Sequence, residues 1–129
     1  MIRVYDVHLD HIESDAKAQG MQVVLDKIAE DQQKIPAETI LLGDFNEQPD
    51  GLAITYINER KDMKLVDITA EIPATWHDFG KLDPGIKIDY IFTSEGLAGM
   101  VQSVEVWNDY RNGIYLSDHY PVSAVISME

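Results

Sequence analysis

Four short stretches carry side chains whose types and spacing could do chemistry: HLDH at 8–11, LLGDFNEQP at 41–49, KIDYIF at 87–92 and SDHYPV at 117–122. Histidines and carboxylates exchange protons with a reacting group. Carboxylate oxygens also hold hard divalent cations. Together they mark a candidate site. Each stretch also has a plainer explanation. Asp44 and Asn46 after an apolar run are common turn formers, and Ser117, Asp118 and His119 suit an exposed loop equally well. His8 and His11 have the spacing of a metal-binding pair, but they straddle a strand end, so only one is expected to face a site. Trp76 and His77 are expected to pack within their loop rather than touch a substrate. Asp89, between Ile88 and the apolar Tyr90, Ile91 and Phe92, is harder to dismiss, because a buried acid is costly without a partner. His119 would be such a partner.

The elements that position these residues follow from hydrophobic periodicity. Alternation predicts a strand over 2–9, with Tyr5, Val7 and Leu9 on one face. Ala18, Met21, Leu25, Ile28 and Ala29 repeat at three and four, which predicts a helix over about 15–32, capped by Ser14 or Asp15. The mostly apolar run from Thr39 to Phe45 predicts a central strand. A shorter helix follows Pro49, Asp50 and Gly51 and ends near Lys61, whereas 65–68 is too short to assign. A loop occupies 73–84, and further strands are expected over 87–92, 101–107 and 120–127. The fold class is therefore α/β with a mixed sheet and helices on one face. If the later strands run antiparallel to the first two, His8, Asp44, Asn46, Asp89, Asp118 and His119 gather at one rim. Open α/β sheets bind their ligands at such a rim.

Composition bounds the function. A chain of 129 residues, 45% hydrophobic and 26% charged, is one domain at most. It has no cysteine, which excludes disulfides and thiolate zinc sites and is compatible with the cytoplasm, where we expect it. No apolar run approaches the roughly 18 residues of a membrane helix, so no membrane is expected. The net charge of −13 disfavours tight binding to a phosphate backbone unless cations intervene.

The four stretches, in this order, resemble the later motifs of the endonuclease/exonuclease/phosphatase superfamily, which includes pancreatic deoxyribonuclease, abasic-site endonucleases, deadenylases and inositol-polyphosphate phosphatases. The helix carrying Gln22 and the TWH at 75–77 agree, and the resemblance covers essentially the whole chain. It implies a metal-dependent phosphoesterase acting on a phosphate-ester substrate. Asp44 would orient or deprotonate the attacking water, and Asn46 would position it or hold the phosphate. Asp118 would ligate a divalent metal, usually Mg²⁺ (or Mn²⁺). His119 would contact the scissile phosphate with Asp89 behind it, and His8 would be a second phosphate contact. The acidic balance favours a small phosphate ester or a short single strand over long duplex DNA.

The departures from the family pattern carry expectations too. The family's domain is about twice as long, and its first half supplies an asparagine and a glutamate that is a principal metal ligand. Residues 1–129 thus read as the C-terminal half of a four-layer α/β sandwich, with the N-terminal half absent. Such a half is expected to bind metal weakly and to be impaired or inactive alone. It is also expected to form a homodimer through an exposed sheet face or edge. The alternative is a non-catalytic fragment or interaction module that retains the fold.

Overall fold

A computed structural model describes residues 1–128. The first strand, β1 (Ile2–His8), leads to helix α1 (Ser14–Lys34) and back to β2 (Glu38–Asp44), which lies parallel to β1. Helix α2 (Leu52–Glu59) and the short strand β3 (Leu65–Asp67) follow. Strand β4 (Asp89–Ser94) inserts between β2 and β3 and runs antiparallel to both, giving a mixed four-stranded sheet in the order β1-β2-β4-β3. After the single turn α3 (Glu95–Ala98), β5 (Val101–Val106) pairs antiparallel with the last strand, β8 (Val122–Ile126), in a separate two-stranded sheet. Between them lies a small hairpin of β6 (Tyr110–Arg111) and β7 (Ile114–Tyr115).

Both long helices cover one face of the main sheet. Met21, Leu25 and Ile28 of α1 and Ala53, Ile54 and Ile57 of α2 meet Leu41, Phe45, Tyr90 and Phe92 in one core. The opposite face is less covered: Ile2 and Val4 are exposed, while the start of β8 lies beside Leu42 and Ile91. The core is organised by an aromatic stack. The Phe45 ring lies 5.1 Å from Tyr90 and 6.1 Å from Phe92, nearly parallel to both. Beneath it, the buried Lys87 ammonium binds Asp67 Oδ2 at 2.9 Å and the Thr69 carbonyl at 2.6 Å, with the Tyr90 ring 4.7 Å away. A buried cation needs partners of this kind. These contacts tie the segment entering β4 to β3.

Several expectations are corrected locally. Neither Ser14 nor Asp15 caps α1. Glu13 is the residue before the helix, and Asp10 Oδ2 instead accepts the amides of Ile12 and Glu13 at 3.1 and 2.7 Å. The segment left unassigned at 65–68 contains β3, which holds its place by pairing with β4. The third expected strand starts two residues later, at Asp89, and the last starts at Val122 rather than Tyr120. Gly20, a weak point in a helix by propensity, faces Leu9, whose Cδ2 would lie 3.3 Å from an added Cβ.

Gly43 is the backbone position on which the sheet rim turns. Its φ is 138°, and a Cβ there would lie 2.0 Å from the Val7 carbonyl oxygen in the neighbouring strand. Gly43→Ala is expected to lower stability by at least about 1–3 kcal/mol from backbone strain, read as a lower denaturant midpoint. An unchanged midpoint would refute this account of the rim.

Candidate active site

β1 and β2 end together, so His8 and Asp44 are register partners, and β4 begins opposite the same point, so Asp44 and Asp89 are also partners. The chain leaves β2 in a tight turn: Asp44 Oδ1 accepts the Asn46 amide at 2.9 Å, and Asn46 takes a φ of 49°. Asparagine tolerates that conformation well. GDFN is thus a turn, and the turn itself carries the side chains of the rim. Phe45 points down into the core and is fully buried, while Asn46 Nδ2 donates to the Leu9 carbonyl at 2.7 Å. The Tyr90 hydroxyl donates to the Glu47 carbonyl at 2.7 Å, fastening the far side of the turn.

His119 arrives from the segment before β8 and lies between the two acids. Its Nδ1 is 2.8 Å from Asp89 Oδ2 and its Nε2 is 3.5 Å from Asp44 Oδ2. With Asp89 accepting from Nδ1–H, Nε2 is turned toward Asp44. His8 Nε2 approaches the same Asp44 oxygen at 3.5 Å from the exposed side. Asp118 Oδ1 is 4.0 Å from His119 Nε2, and its Oδ2 accepts the Trp76 indole N–H at 3.2 Å. Burial pushes the Asp89 carboxyl above the usual carboxylate range; hydrogen bonding with Thr75 and His119 opposes the rise, and the charge of Asp44 adds to it. The Thr75 hydroxyl oxygen also accepts the amides of Ile88 and Asp89 at 3.0 and 3.1 Å, which fixes the entry to β4.

These groups surround an open cavity of about 610 Å³, lined by His8, His11, Asp44, Asn46, Trp76, Asp118 and His119 over Ile86 and Ile88. Five of the six residues singled out in the sequence line it, and Asp89 stands behind His119. The expectation that only one of His8 and His11 faces the site is corrected, since both line the cavity. Trp76 does more than pack within its loop: it lines the cavity and holds Asp118. His77, by contrast, is fully buried. Thr75 was not foreseen as a support, although TWH was the visible signal for this loop.

The donor set suits a hard divalent cation in kind. Asp44, Asp89 and His119 each have a ligand atom within 4.8 Å of the others, but the Asp89–His119 hydrogen bond already occupies one face of that group. Asp118, with 40% of its side chain exposed, offers the freer carboxylate. Oxygen donors on a wet cavity fit Mg²⁺ or Mn²⁺, which keep several waters and need few protein ligands.

The fold has counterparts among known proteins. The profile described as endonuclease/exonuclease/phosphatase family matches residues 2–119. The fold is similar to that of an endonuclease/exonuclease/phosphatase from Bacteroides vulgatus, with 26% identity and TM-score 0.76 over 95% of this chain and 48% of that one. It is similar to a mannosyl-6-phosphatase from Bacteroides thetaiotaomicron, with 22% identity and TM-score 0.75 over 97% of this chain and 51% of that one. A 3′ phosphatase from Neisseria bound to a product DNA hairpin gives 22% identity and TM-score 0.78 over 98% of this chain and 61% of that one. No curated protein matches the sequence. The chain spans about half the length of the first two structures. With the profile matching nearly all of the sequence and the fold shared throughout, this chain belongs to the endonuclease/exonuclease/phosphatase family.

Proposed function

We propose that the chain serves in metal-dependent hydrolysis of a phosphate ester. The observation that carries this reading is the convergence of four separate segments on one cavity, with His119 held between Asp89 and Asp44. Both phosphatases that share the fold support the substrate class. The net charge of −13 favours a small phosphate ester or a short strand over long duplex DNA.

In this reading Asp44 orients the attacking water and accepts its proton. Asn46, with one amide hydrogen given to the Leu9 carbonyl, has a fixed direction from which to position that water or a phosphate oxygen. His119 Nε2 meets the phosphate, Asp89 holds its ring, and His8 makes a second contact at the mouth. Donors aimed at developing negative charge are the main source of rate in such sites. Asp118 would hold Mg²⁺ or Mn²⁺, which supplies charge neutralisation at the phosphoryl oxygens. With one freely offered carboxylate in this chain, binding is weak and activity of the chain alone is low. That same shortage is the observation favouring the second reading, a non-catalytic interaction module.

Assay of a generic aryl phosphate and its diester with Mg²⁺ or Mn²⁺ separates the two. Slow, chelator-sensitive turnover is expected, with Asp44→Ala and His119→Ala each lowering kcat/KM by at least about 10²-fold. Metal-dependent turnover untouched by both substitutions would overturn the site assignment. No turnover from a folded chain would favour the interaction module.

Asp89 gives a prediction with a defined sign. Its folded pKa is raised, so the unfolded chain releases this proton more readily and the ionised carboxylate opposes folding. Its contribution is intact below the ordinary aspartate value of about 3.9 and is lost as pH rises through the folded value. Asp89→Asn should therefore raise the denaturation midpoint at pH 7, with the gain vanishing near about pH 4, while turnover falls. A lower midpoint at pH 7 contradicts the assignment.

Among the described residues nothing pairs with the outer edge of β1, and Ile2 and Val4 are 39% and 57% exposed beside it. Such an edge invites a second copy. Light scattering is expected to give the mass of a dimer; a monomer at high concentration would remove this part of the proposal.

A further inference from the structure

Behind the cavity lies a second acid–histidine pair. His77 is 0% exposed, clasped between the rings of Tyr115 and Tyr120 at centroid distances of 4.5 and 4.2 Å. Its Nδ1 accepts the Gly80 amide at 3.1 Å, so the ring proton is on Nε2. That nitrogen faces Asp109 Oδ1 at 3.6 Å, and neither atom has another partner among the described residues. Two buried polar atoms that face only each other call for an explanation. At 3.6 Å they stand just beyond hydrogen-bond distance.

Both partners also grip the segment that carries the reactive groups. Asp109 Oδ2 accepts the Ser117 amide at 3.1 Å, and the His77 amide donates to the Asp118 carbonyl at 2.9 Å. The Ser117 hydroxyl accepts the His119 amide at 3.1 Å. Among the described residues from 101 onward, Asp109 is the only buried one. Hydrophobic burial therefore does little to place Asp118 and His119.

We propose that His77 and Asp109 are positioning residues, a polar clasp that sets Asp118 and His119 against the rim formed by Asp44 and Asp89. The proposal rests on the phosphoesterase reading for its consequence in catalysis, and on the geometry alone for its effect on structure.

Isosteric substitutions separate the roles of the two ring nitrogens. Glutamine places an amide donor where Nε2 stands, and asparagine places an acceptor where Nδ1 stands. His77→Gln should keep the Trp76 indole and His119 ring signals in NMR spectra near their parent positions, with turnover within about threefold. His77→Asn should shift or broaden both signals and lower kcat by up to about 10²-fold with little change in KM. Asp109→Asn serves as an independent variant if the tyrosine-flanked ring tolerates neither change. An amide presents one oxygen where the carboxylate presents two, so the Ser117 amide and the His77 ring cannot both be satisfied, and the same two signals should move. If Gln and Asn at position 77 behave alike, or Asp109→Asn leaves both signals in place, the pair is packing only and the proposal fails. If the signals respond as stated while the parent turns over no phosphate ester, the clasp stands and the phosphoesterase reading falls.

Discussion

Two carboxylates face each other across the antiparallel ladder at its open end, and the molecule must accommodate them. Asp44 and Asp89 are register partners, and like charges directly opposite are destabilising. The imidazole of His119 lies between them and is the group that lets both acids remain. Everything else at the rim follows from holding that ring in place. Thr75 fixes the amides at the start of β4, Trp76 holds Asp118, and the GDFN turn holds Asp44 with its own backbone.

The rim is precise because the layer beneath it is rigid. Phe45 belongs to the turn by sequence and to the core by burial, so the residue between Asp44 and Asn46 anchors both. Stacked rings and the buried Lys87 pair on either side leave the ends of β2 and β4 little freedom. Preorganised groups of this kind do not have to be rearranged when a charge develops nearby.

Much of this was legible in the sequence because it was written in periodicity. The spacing of Ala18, Met21, Leu25 and Ile28 gave the buried stripe of α1, and the apolar run ending at Gly43 gave the central strand. Asp89 stood out as an acid in an apolar run, and its contact with His119 follows from the cost of burying it alone. What was not legible depended on long-range geometry. β3 is held by a neighbour 25 or more residues away in sequence and has little pattern of its own. The hairpin of β6 and β7 reads as a polar linker because its strands are two residues long and its side chains are mostly exposed. In place of the expected cap, Asp10 binds the amides of Ile12 and Glu13 just ahead of α1, a contact set by the path of the loop. The cavity-facing placement of His11 and Trp76 depends on loop paths that periodicity does not encode.

The burial pattern divides the constellation into two regimes. His8, Asp44, Asn46 and Asp89 stand on a sheet sealed by two helices, whereas Asp118 and His119 ride on a segment with almost no core of its own. Opening free energies in proteins range from near zero at weakly buried elements to the global value in the core. The candidate site therefore spans a well-buried and a weakly buried part of the fold. It can come apart by local opening of residues 101–128 while the helix-covered sheet stays folded, so amides on the two sides of the same cavity would exchange with solvent at very different rates.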